Sequence, residues 1–460
     1  MNEHDNVVQT SDAGETKLKR VLGTPGLVFF GLAFMNITSI ILGYAIVDQM
    51  THGMVPLSIL ISFVVMLITS FSYKQMSEEF PMSGSAYTYT SKAINPYVGF
   101  FTGWAILSTY LILPGYNFLL FALYMNVLIP GVPIWVWIVA SIIIVGIINL
   151  LGIKLLSVVD AIFVVIFAVL LTAIGISAIV HLSGDAAAPG FFDGISNMYK
   201  PESASEVGGI GILQGAAYIC FCYLGFDAIS TLAEETIDPT KKVGRSMVLS
   251  VAIGGAILLV FSFLFDLCWS GKWADYANAD TGAIEIIRSV GGDVLAYITS
   301  AILVVGVFAS VLSIETSATR LLYGMSCDKV MPKFFSKLHP KFKTPVYGIL
   351  FVSILGLLAL LKDLEVIVSL LNVGALIAFI LVNVAVISLF WIKRKERSGF
   401  KNVIKYLIAP LAGTLSLVVV LINVGIYGLI LGAVWLIIGF IFLAYRTKMF
   451  KELPPTLQGF

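Results

Sequence analysis

Three acidic residues lie inside long apolar stretches, and they are the side chains there best suited to chemistry. They are Asp227, Asp266 and Glu315. A charge at the centre of a bilayer costs roughly 2.5–3.5 kcal/mol on insertion scales, so each carboxyl should face a cavity or a partner. Such a group can bind a cationic substrate or carry a proton. We therefore predict these three residues as proton-coupling candidates, with Asp227 also contacting the substrate.

Each acid also has a plainer interpretation, which stays open at this stage. Asp266 lies about one turn from the end of its stretch and suits a solvated vestibule. Glu315 suits a structural ion pair with Arg320 or Lys154. Asp227 suits a cap that pins a broken helix.

Two of the apolar stretches contain residues that favour a break in a helix. The first holds four small or polar residues between Asn36 and Gly43, and the sixth holds Gly225 shortly before Asp227. Free carbonyls at such breaks bind cations, and the N-termini of half-helices bind anions. Breaks at matching positions of two halves indicate a substrate site near the midplane. Packing through small residues is the alternative for the first stretch.

Aromatic side chains near these breaks favour an ammonium ligand, because a cation is attracted to the face of an aromatic ring. The alternative for each single ring is packing against lipid or the protein core. The aromatic candidates are Tyr110, Tyr116, Phe221, Tyr223 and Phe226.

The elements that must position these residues are apolar helices. Of the 460 residues 58% are hydrophobic and 12% are charged, a balance typical of a membrane protein. A spanning helix needs about 20 mainly apolar residues. The stretches that meet or approach this length are 26–47, 55–73, 97–126, 132–151, 158–180, 209–232, 248–270, 292–318, 345–361, 366–392, 404–423 and 425–445. The sequence therefore predicts an all-α membrane protein with twelve transmembrane helices.

The positive charges predict the orientation of these helices. An even number of spans puts both termini on one side, and the segments on that side hold all but four of the 28 Lys and Arg residues. Cytoplasmic segments carry the excess of Lys and Arg, so both termini are predicted to be cytoplasmic. The membrane is predicted to be the plasma membrane. The polar start of the chain reads as a tail rather than a cleavable signal. The outer segments 181–208 and 271–291 are either gates or simple connections.

Several function classes lack their usual signals. A net charge of +1 argues against nucleic acid as a partner. There is no glycine-rich phosphate loop, no catalytic triad and no metal-ligand spacing. We therefore predict no enzyme activity, no cofactor and no metal. The four cysteines read as small apolar fillers.

Longer motifs follow several of the spans. They are Glu79-Phe-Pro-Met-Ser-Gly-Ser-Ala-Tyr-Thr-Tyr89, Leu224-Gly-Phe-Asp227, Glu234-Glu-Thr236 with Pro239, Ser317-Ala-Thr-Arg-Leu-Leu-Tyr-Gly-Met325, His339-Pro340 and Thr344-Pro345. With these motifs the chain resembles the amino acid–polyamine–organocation family of secondary transporters over essentially its whole length.

Within that family the chain is most similar to the bacterial putrescine importers. The segments that carry this closer resemblance are Ser85–Tyr89, Ile94–Pro96 with Val98–Phe100, Cys220–Phe221, Gly225–Ala228 and Asn372–Leu376.

The resemblance implies a fold and a domain organisation. It implies a five-plus-five inverted-repeat core with broken helices 1 and 6, followed by two peripheral helices. The corresponding ranges are a tail at 1–22, the core at 23–393, the peripheral helices at 394–447 and a second tail at 448–460.

The resemblance also implies a substrate site between the broken spans, flanked by spans 3, 8 and 10, and proton-coupled uptake or exchange. Combined with the residues above, the predicted substrate-binding set is Asn36, Ile37, Thr38, Ser39, Tyr110, Tyr116, Phe221, Cys222, Tyr223, Gly225, Phe226, Asp227 and Asn372.

The first span departs from two patterns of the family. Many amino acid carriers have a Gly-small-Gly break whose amides hold the substrate carboxylate, whereas this chain has bulky Ile37, Ile40 and Ile41. The putrescine importers carry an Asp where this chain has Leu42, and the lysine that some proton-coupled relatives carry in span 5 is absent. A diamine must therefore find anionic or carbonyl partners elsewhere.

Three functional hypotheses follow. The first is an importer of a small amine or polyamine, coupled to protons and working by alternating access in the lipid bilayer. The second is an amino acid transporter or an amino acid/amine exchanger. The third, for which the sequence offers no support, is a non-transporting sensor on the same fold.

Overall fold

The computed structural model describes most of the chain. The described residues are 20, 22–36, 38–82, 85–151, 156–184, 195, 198–327, 331–340, 342, 344–361, 363–449 and 451, without the side chains of 156–161, 234, 235, 313, 320, 321, 324 and 327. Within this part there is no β-strand.

Fourteen helices are used below. They are α1 (Thr24–Met35), α2 (Ser39–Thr51), α3 (Val55–Glu79), α4 (Ser85–Ala93), α5 (Pro96–Leu128), α6 (Ile134–Leu151), α7 (Leu156–Gly184), α8 (Pro201–Ile219), α9 (Pro239–Cys268), α10 (Gly282–Cys327), α11 (Val346–Gly356), α12 (Leu364–Val386), α13 (Phe400–Ile422) and α14 (Ile426–Arg446).

These helices occupy the twelve predicted stretches. In the described residues ten helices are long and apolar enough to cross a membrane, and α1 with α2 forms one further span bent by 42°. The remaining stretch, 345–361, forms a shorter apolar helix, Val346–Leu361. The prediction of an all-α membrane protein is therefore confirmed. Spans are numbered 1 to 12, with α1 and α2 as span 1, α8 and the turns after it as span 6, and α4 lying between spans 2 and 3.

Spans 1–5 and 6–10 pack in matching pairs. Span 1 packs on span 7, and span 6 packs on span 2. Span 3 packs on span 10, and span 8 packs on span 5. The corresponding spans 2 and 7 pack on each other, as do spans 3 and 8. Each half has five spans, an odd number, so the second half begins on the opposite side of the membrane from the first. An inverted repeat therefore requires that each contact between the halves has a counterpart in which the two halves have changed places.

Close backbone approach holds spans 3 and 10 together. A Cβ added to Gly374 would lie 2.3 Å from the carbonyl oxygen of Ala105, so no larger residue fits there. The Thr109 hydroxyl donates to the carbonyl oxygen of Leu371 at 2.9 Å. These two contacts fix the height at which the two spans meet.

Span 12 is attached to span 3 by a reciprocal pair of tryptophans. The Trp104 indole N–H donates to the carbonyl oxygen of Trp435 at 2.9 Å, and the Trp435 indole N–H donates to that of Trp104 at 2.8 Å. The two rings stack with centroids 4.8 Å apart. Most of span 12 is otherwise exposed, which agrees with a peripheral position. The boundaries predicted at 22/23, 393/394 and 447/448 stay a prediction.

Candidate functional site

Span 1 is broken at Asn36. This residue adopts φ 52°, in the left-handed region that Asn tolerates better than most residues, and ends α1. Its side-chain oxygen accepts from the Thr38 amide at 3.2 Å and from the Thr38 hydroxyl at 2.6 Å. Ser39 begins α2 and is buried. Ile37 lies outside the described residues.

Span 6 is broken at Gly225. After α8 ends, one tight turn covers Cys220–Tyr223, and a second tight helix covers Asp227–Glu235. Gly225 adopts φ 106°, and a Cβ there would lie 2.0 Å from Cδ1 of Phe34 in span 1. Only glycine satisfies both the dihedral angle and the contact. The two breaks therefore touch each other.

Asp227 opens the second tight helix of span 6. Its side-chain oxygen accepts from the Gly225 amide at 3.3 Å, and its own carbonyl oxygen accepts from the Ser230 hydroxyl at 2.6 Å. The side chain is only 4% exposed. A carboxylate at a helix N-terminus is favoured by the aligned peptide dipoles. The bond to the Gly225 amide joins the carboxylate to the break itself.

A small central cavity lies beside the two breaks. Spans 1, 3, 6 and 10 line it with Phe34, Ile106, Thr109, Tyr110, Leu113, Leu224, Gly225, Asp227, Ala375 and Phe379. This set holds one carboxylate, two Phe rings and one Tyr ring, and no Lys or Arg. The rings of Phe34 and Tyr110 meet edge to face at 6.4 Å. Of the predicted residues, Tyr110, Gly225 and Asp227 are among those that line it.

Aromatic rings border the cavity on the side of α4. Phe226 is not part of the cavity lining, and it packs against Tyr73 at 5.2 Å and Phe379 at 5.3 Å between ring centroids. Tyr89 of α4 meets Tyr73 at 6.0 Å. Phe226 is thus part of this ring cluster rather than of the cavity wall.

A second aromatic group lies one turn earlier on span 6. Phe221 packs edge to face against Tyr116 at 5.2 Å and against Tyr218 at 5.3 Å. Cys222 and Tyr223 are also buried there, but neither lines the central cavity. Along span 6, Phe221 lies between the cavity at Gly225 and a further cleft at Tyr218.

That further cleft opens on the face of the bundle where span 1 ends, which we call the outer face. Its lining is Met50, Gln214, Tyr218, Glu365, Val368, Ser369, Asn372, Asn423, Val424 and Gly425. Asn372 donates from Nδ2 to the carbonyl oxygen of Ala217 at 2.8 Å. The predicted ligand Asn372 therefore belongs to this outer cleft rather than to the central cavity.

Asp266 lies in a polar network at the outer face. It pairs with Lys200 at 2.8 Å, and Lys200 also donates to the carbonyl oxygen of Gly53 at 2.7 Å. Nearby, the Tyr276 hydroxyl donates to Asp48 at 2.7 Å. Burial and the Asp48 carboxylate raise the pKa of Tyr276, so the phenol keeps its proton and remains a donor.

The sequence reasoning missed Asp48. It lies one position beyond the apolar stretch 26–47, yet α2 continues to Thr51 and Asp48 is 3% exposed. Glycine and proline after it, at Gly53 and Pro56, were the signal that the helix continues for another turn.

Glu315 lies at a third place, between spans 4, 8 and 9. Its carboxylate accepts from the Ser353 hydroxyl at 2.6 Å and from the Asn149 side-chain amide at 2.9 Å. The side chains of Arg320 and Lys154, its predicted ion-pair partners, lie outside the described residues. The three acids therefore occupy three separate environments, and only Asp227 lines the central cavity.

A cavity between two broken spans of a helical bundle is the architecture of a membrane carrier for small molecules. The family model described as amino acid permease matches residues 27–452. The chain belongs to the amino acid permease family, whose members are transporters rather than enzymes.

Three relatives illustrate the range of solutes in this family. The low-affinity putrescine importer PlaP of Escherichia coli is 33% identical, over 98% of this chain and 98% of that protein. The branched-chain amino acid permease BcaP of Bacillus subtilis is 26% identical, over 97% of each. The methylthioribose transporter of Bacillus subtilis is 24% identical, over 78% of each.

Proposed function

We propose that this protein imports a small alkyl amine of the putrescine type across the plasma membrane. The observation that carries the proposal is the lining of the central cavity. One buried carboxylate, Asp227, lies among aromatic and aliphatic walls, and the lining includes no Lys or Arg. A carboxylate with neighbouring ring faces suits an alkylammonium ion. The 33% identity to a putrescine importer supports the same solute class.

The break in span 1 supports an amine over an α-amino acid. Amides at the start of a half-helix are the usual partners of a substrate carboxylate. Here the Thr38 amide is already engaged by the Asn36 side chain, and the Ser39 amide donates to the carbonyl oxygen of Asn36 at 2.8 Å. The chain supplies its own acceptors where a substrate carboxylate would otherwise bind.

The proposed transport cycle is alternating access with proton coupling, with both termini in the cytoplasm. Asp227 is the proposed coupling group because it is the one acid in the cavity lining, so a proton and an ammonium group compete for the same carboxylate. The ring clusters around Phe221 and Phe226 lie on either side of the cavity along span 6 and would open in turn.

Uptake into proteoliposomes tests this proposal. Radiolabelled putrescine, spermidine and a panel of amino acids would be offered with and without an inward proton gradient. The expected result is putrescine uptake that the gradient stimulates and that amino acids do not inhibit. Uptake that requires an α-carboxylate on the solute would overturn the amine assignment, and specific binding without any uptake would indicate a sensor.

An amino acid carrier is the second candidate. It is favoured by the full-length match to a branched-chain amino acid permease and by the apolar residues Ile106, Leu113 and Ala375 in the cavity wall. Competition separates the two. Leucine or valine should displace putrescine if this candidate holds, and n-butylamine should displace it if the amine assignment holds.

A further inference from the structure

The outer cleft contains two buried polar atoms that have no hydrogen-bond partner. They are Oδ1 of Asn372, on a side chain 1% exposed, and the hydroxyl of Tyr218, on a side chain 4% exposed. Leaving such a group unsatisfied costs about 1–3 kcal/mol. Both residues line the cleft, and the two atoms are themselves shielded from solvent, so a ligand reaches them only when the cleft opens further. The fold alone does not account for these two acceptors.

A carboxylate lies on the same helix face at the rim of the cleft. Glu365 is exposed in the first turn of α12 and lines the cleft. Its neighbour Asp363 is occupied as the helix cap, accepting from the Val366 amide at 3.0 Å. Because Glu365 is exposed and lines the cleft, a cation that enters from solution can reach it.

The spacing between these groups suggests a ligand with two charged ends. Glu365 and Asn372 are seven residues apart on one helix, so they lie on one face and their Cα atoms are about 10 Å apart along the axis. A short α,ω-diamine together with the long Glu365 side chain is of a length that can bridge this separation. Each primary ammonium group brings three N–H donors, which matches the oxygen-rich ends of the cleft.

We propose that the outer cleft is a second binding site, which takes an α,ω-diamine with one ammonium at Glu365 and the other at Asn372 and Tyr218. This inference rests on the proposed function and extends it, because it supplies the partners for both ends of a diamine that span 1 lacks. The diamine would bind here before it passes the Phe221 ring group to reach Asp227.

The kinetics of the Glu365→Gln variant test the charge at the rim. We expect the KM for putrescine to rise at least fivefold with kcat within twofold of the unchanged protein, and inhibition by n-butylamine to stay the same, since a monoamine has no second ammonium for Glu365. Glu202→Gln is the matched control, because Glu202 is an exposed acid near the same face and outside the cleft. A KM equal to that of the unchanged protein, or an equal loss for both amines, would overturn the inference.

A labelling experiment tests the cleft independently of transport. Asn423→Cys places a thiol in the lining, and its modification by an aminoethyl methanethiosulfonate reagent is measured against the protein without this cysteine. Putrescine should slow the modification, n-butylamine should slow it less, and the Asp227→Asn variant should still show the protection. Loss of protection in Asp227→Asn would mean that the cleft is not a separate site. Protection without any putrescine uptake would support the cleft and refute the proposed function.

Discussion

Asp227 contributes to two features of the structure, the break in span 6 and the lining of the central cavity. Its carboxylate accepts from the Gly225 amide and so stabilises the break, and the same side chain lines the central cavity. Replacement by Asn keeps an oxygen for the amide and removes the charge. The variant therefore separates folding from binding better than a replacement by Ala.

We predict that Asp227→Asn lowers putrescine uptake at least tenfold. A hydrogen bond to a charged group contributes about 1.5–3 kcal/mol, which corresponds to about a tenfold to hundredfold change in binding. The melting temperature in detergent should change little, because the Asn side chain keeps an oxygen that can accept from the Gly225 amide. The readouts are initial uptake rates in proteoliposomes and thermal unfolding of the same preparation.

Asp266→Asn provides the comparison for that variant. Asp266 pairs with Lys200 at the outer face rather than with a group in the cavity, so its loss should reduce uptake less. Full activity in both variants would remove the carboxylate hypothesis for this carrier.

At the scale of the element, the break in span 6 depends on one glycine. We predict that Gly225→Ala destabilises the protein by about 2–5 kcal/mol, because a positive φ costs about 1–3 kcal/mol and overpacking costs a similar amount. The new Cβ would overlap the Phe34 ring. Thermal unfolding measures the effect, and Gly131→Ala is the control, since no atom lies within 4 Å of a Cβ there. An unchanged melting temperature for Gly225→Ala would show that the break does not need glycine.

The elements were more predictable from sequence than the site. Apolar length alone places the helices, and Gly225 before Asp227 indicates the break in span 6, because these are properties of the local chain. The assignment of Asn372 to a different cavity from Asp227 was not predictable. It depends on how spans 6 and 10 are rotated against each other, which only packing contacts such as Gly374 on Ala105 determine. Phe226 was placed in the site for the same reason, although its ring points into the cluster with Tyr73.

At the scale of the whole molecule, a polar network joins spans 1, 6 and 7 at the outer face. We predict that Lys200→Met destabilises the protein by about 1–3 kcal/mol, because Asp266 is left buried without its cation. This loss of stability is smaller than the loss expected for a fully buried ion pair, because Lys200 is partly exposed. Thermal unfolding checks it, and the double variant Lys200→Met with Asp266→Leu should recover most of the loss. A double variant as unstable as the single one would contradict this account.

The orientation of the bundle is testable in the same way. We predict that Lys272→Cys is labelled from outside the cell by an impermeant maleimide and that Lys401→Cys is labelled only after the membrane is opened. Both lysines are exposed, so access depends on the side of the membrane alone. The reverse pattern would place the termini outside and invalidate the direction of import.

The tryptophan pair between spans 3 and 12 also has a practical consequence for measuring motion. Because each indole bonds to the backbone of the other span, span 12 should stay in register with span 3 whenever spans 1 and 6 rearrange. A fluorophore at Tyr445, which is 82% exposed near the end of span 12, would then be a stationary reference point. Distance changes to a second fluorophore on α2 would report the displacement of span 1 directly, in single molecules and during turnover.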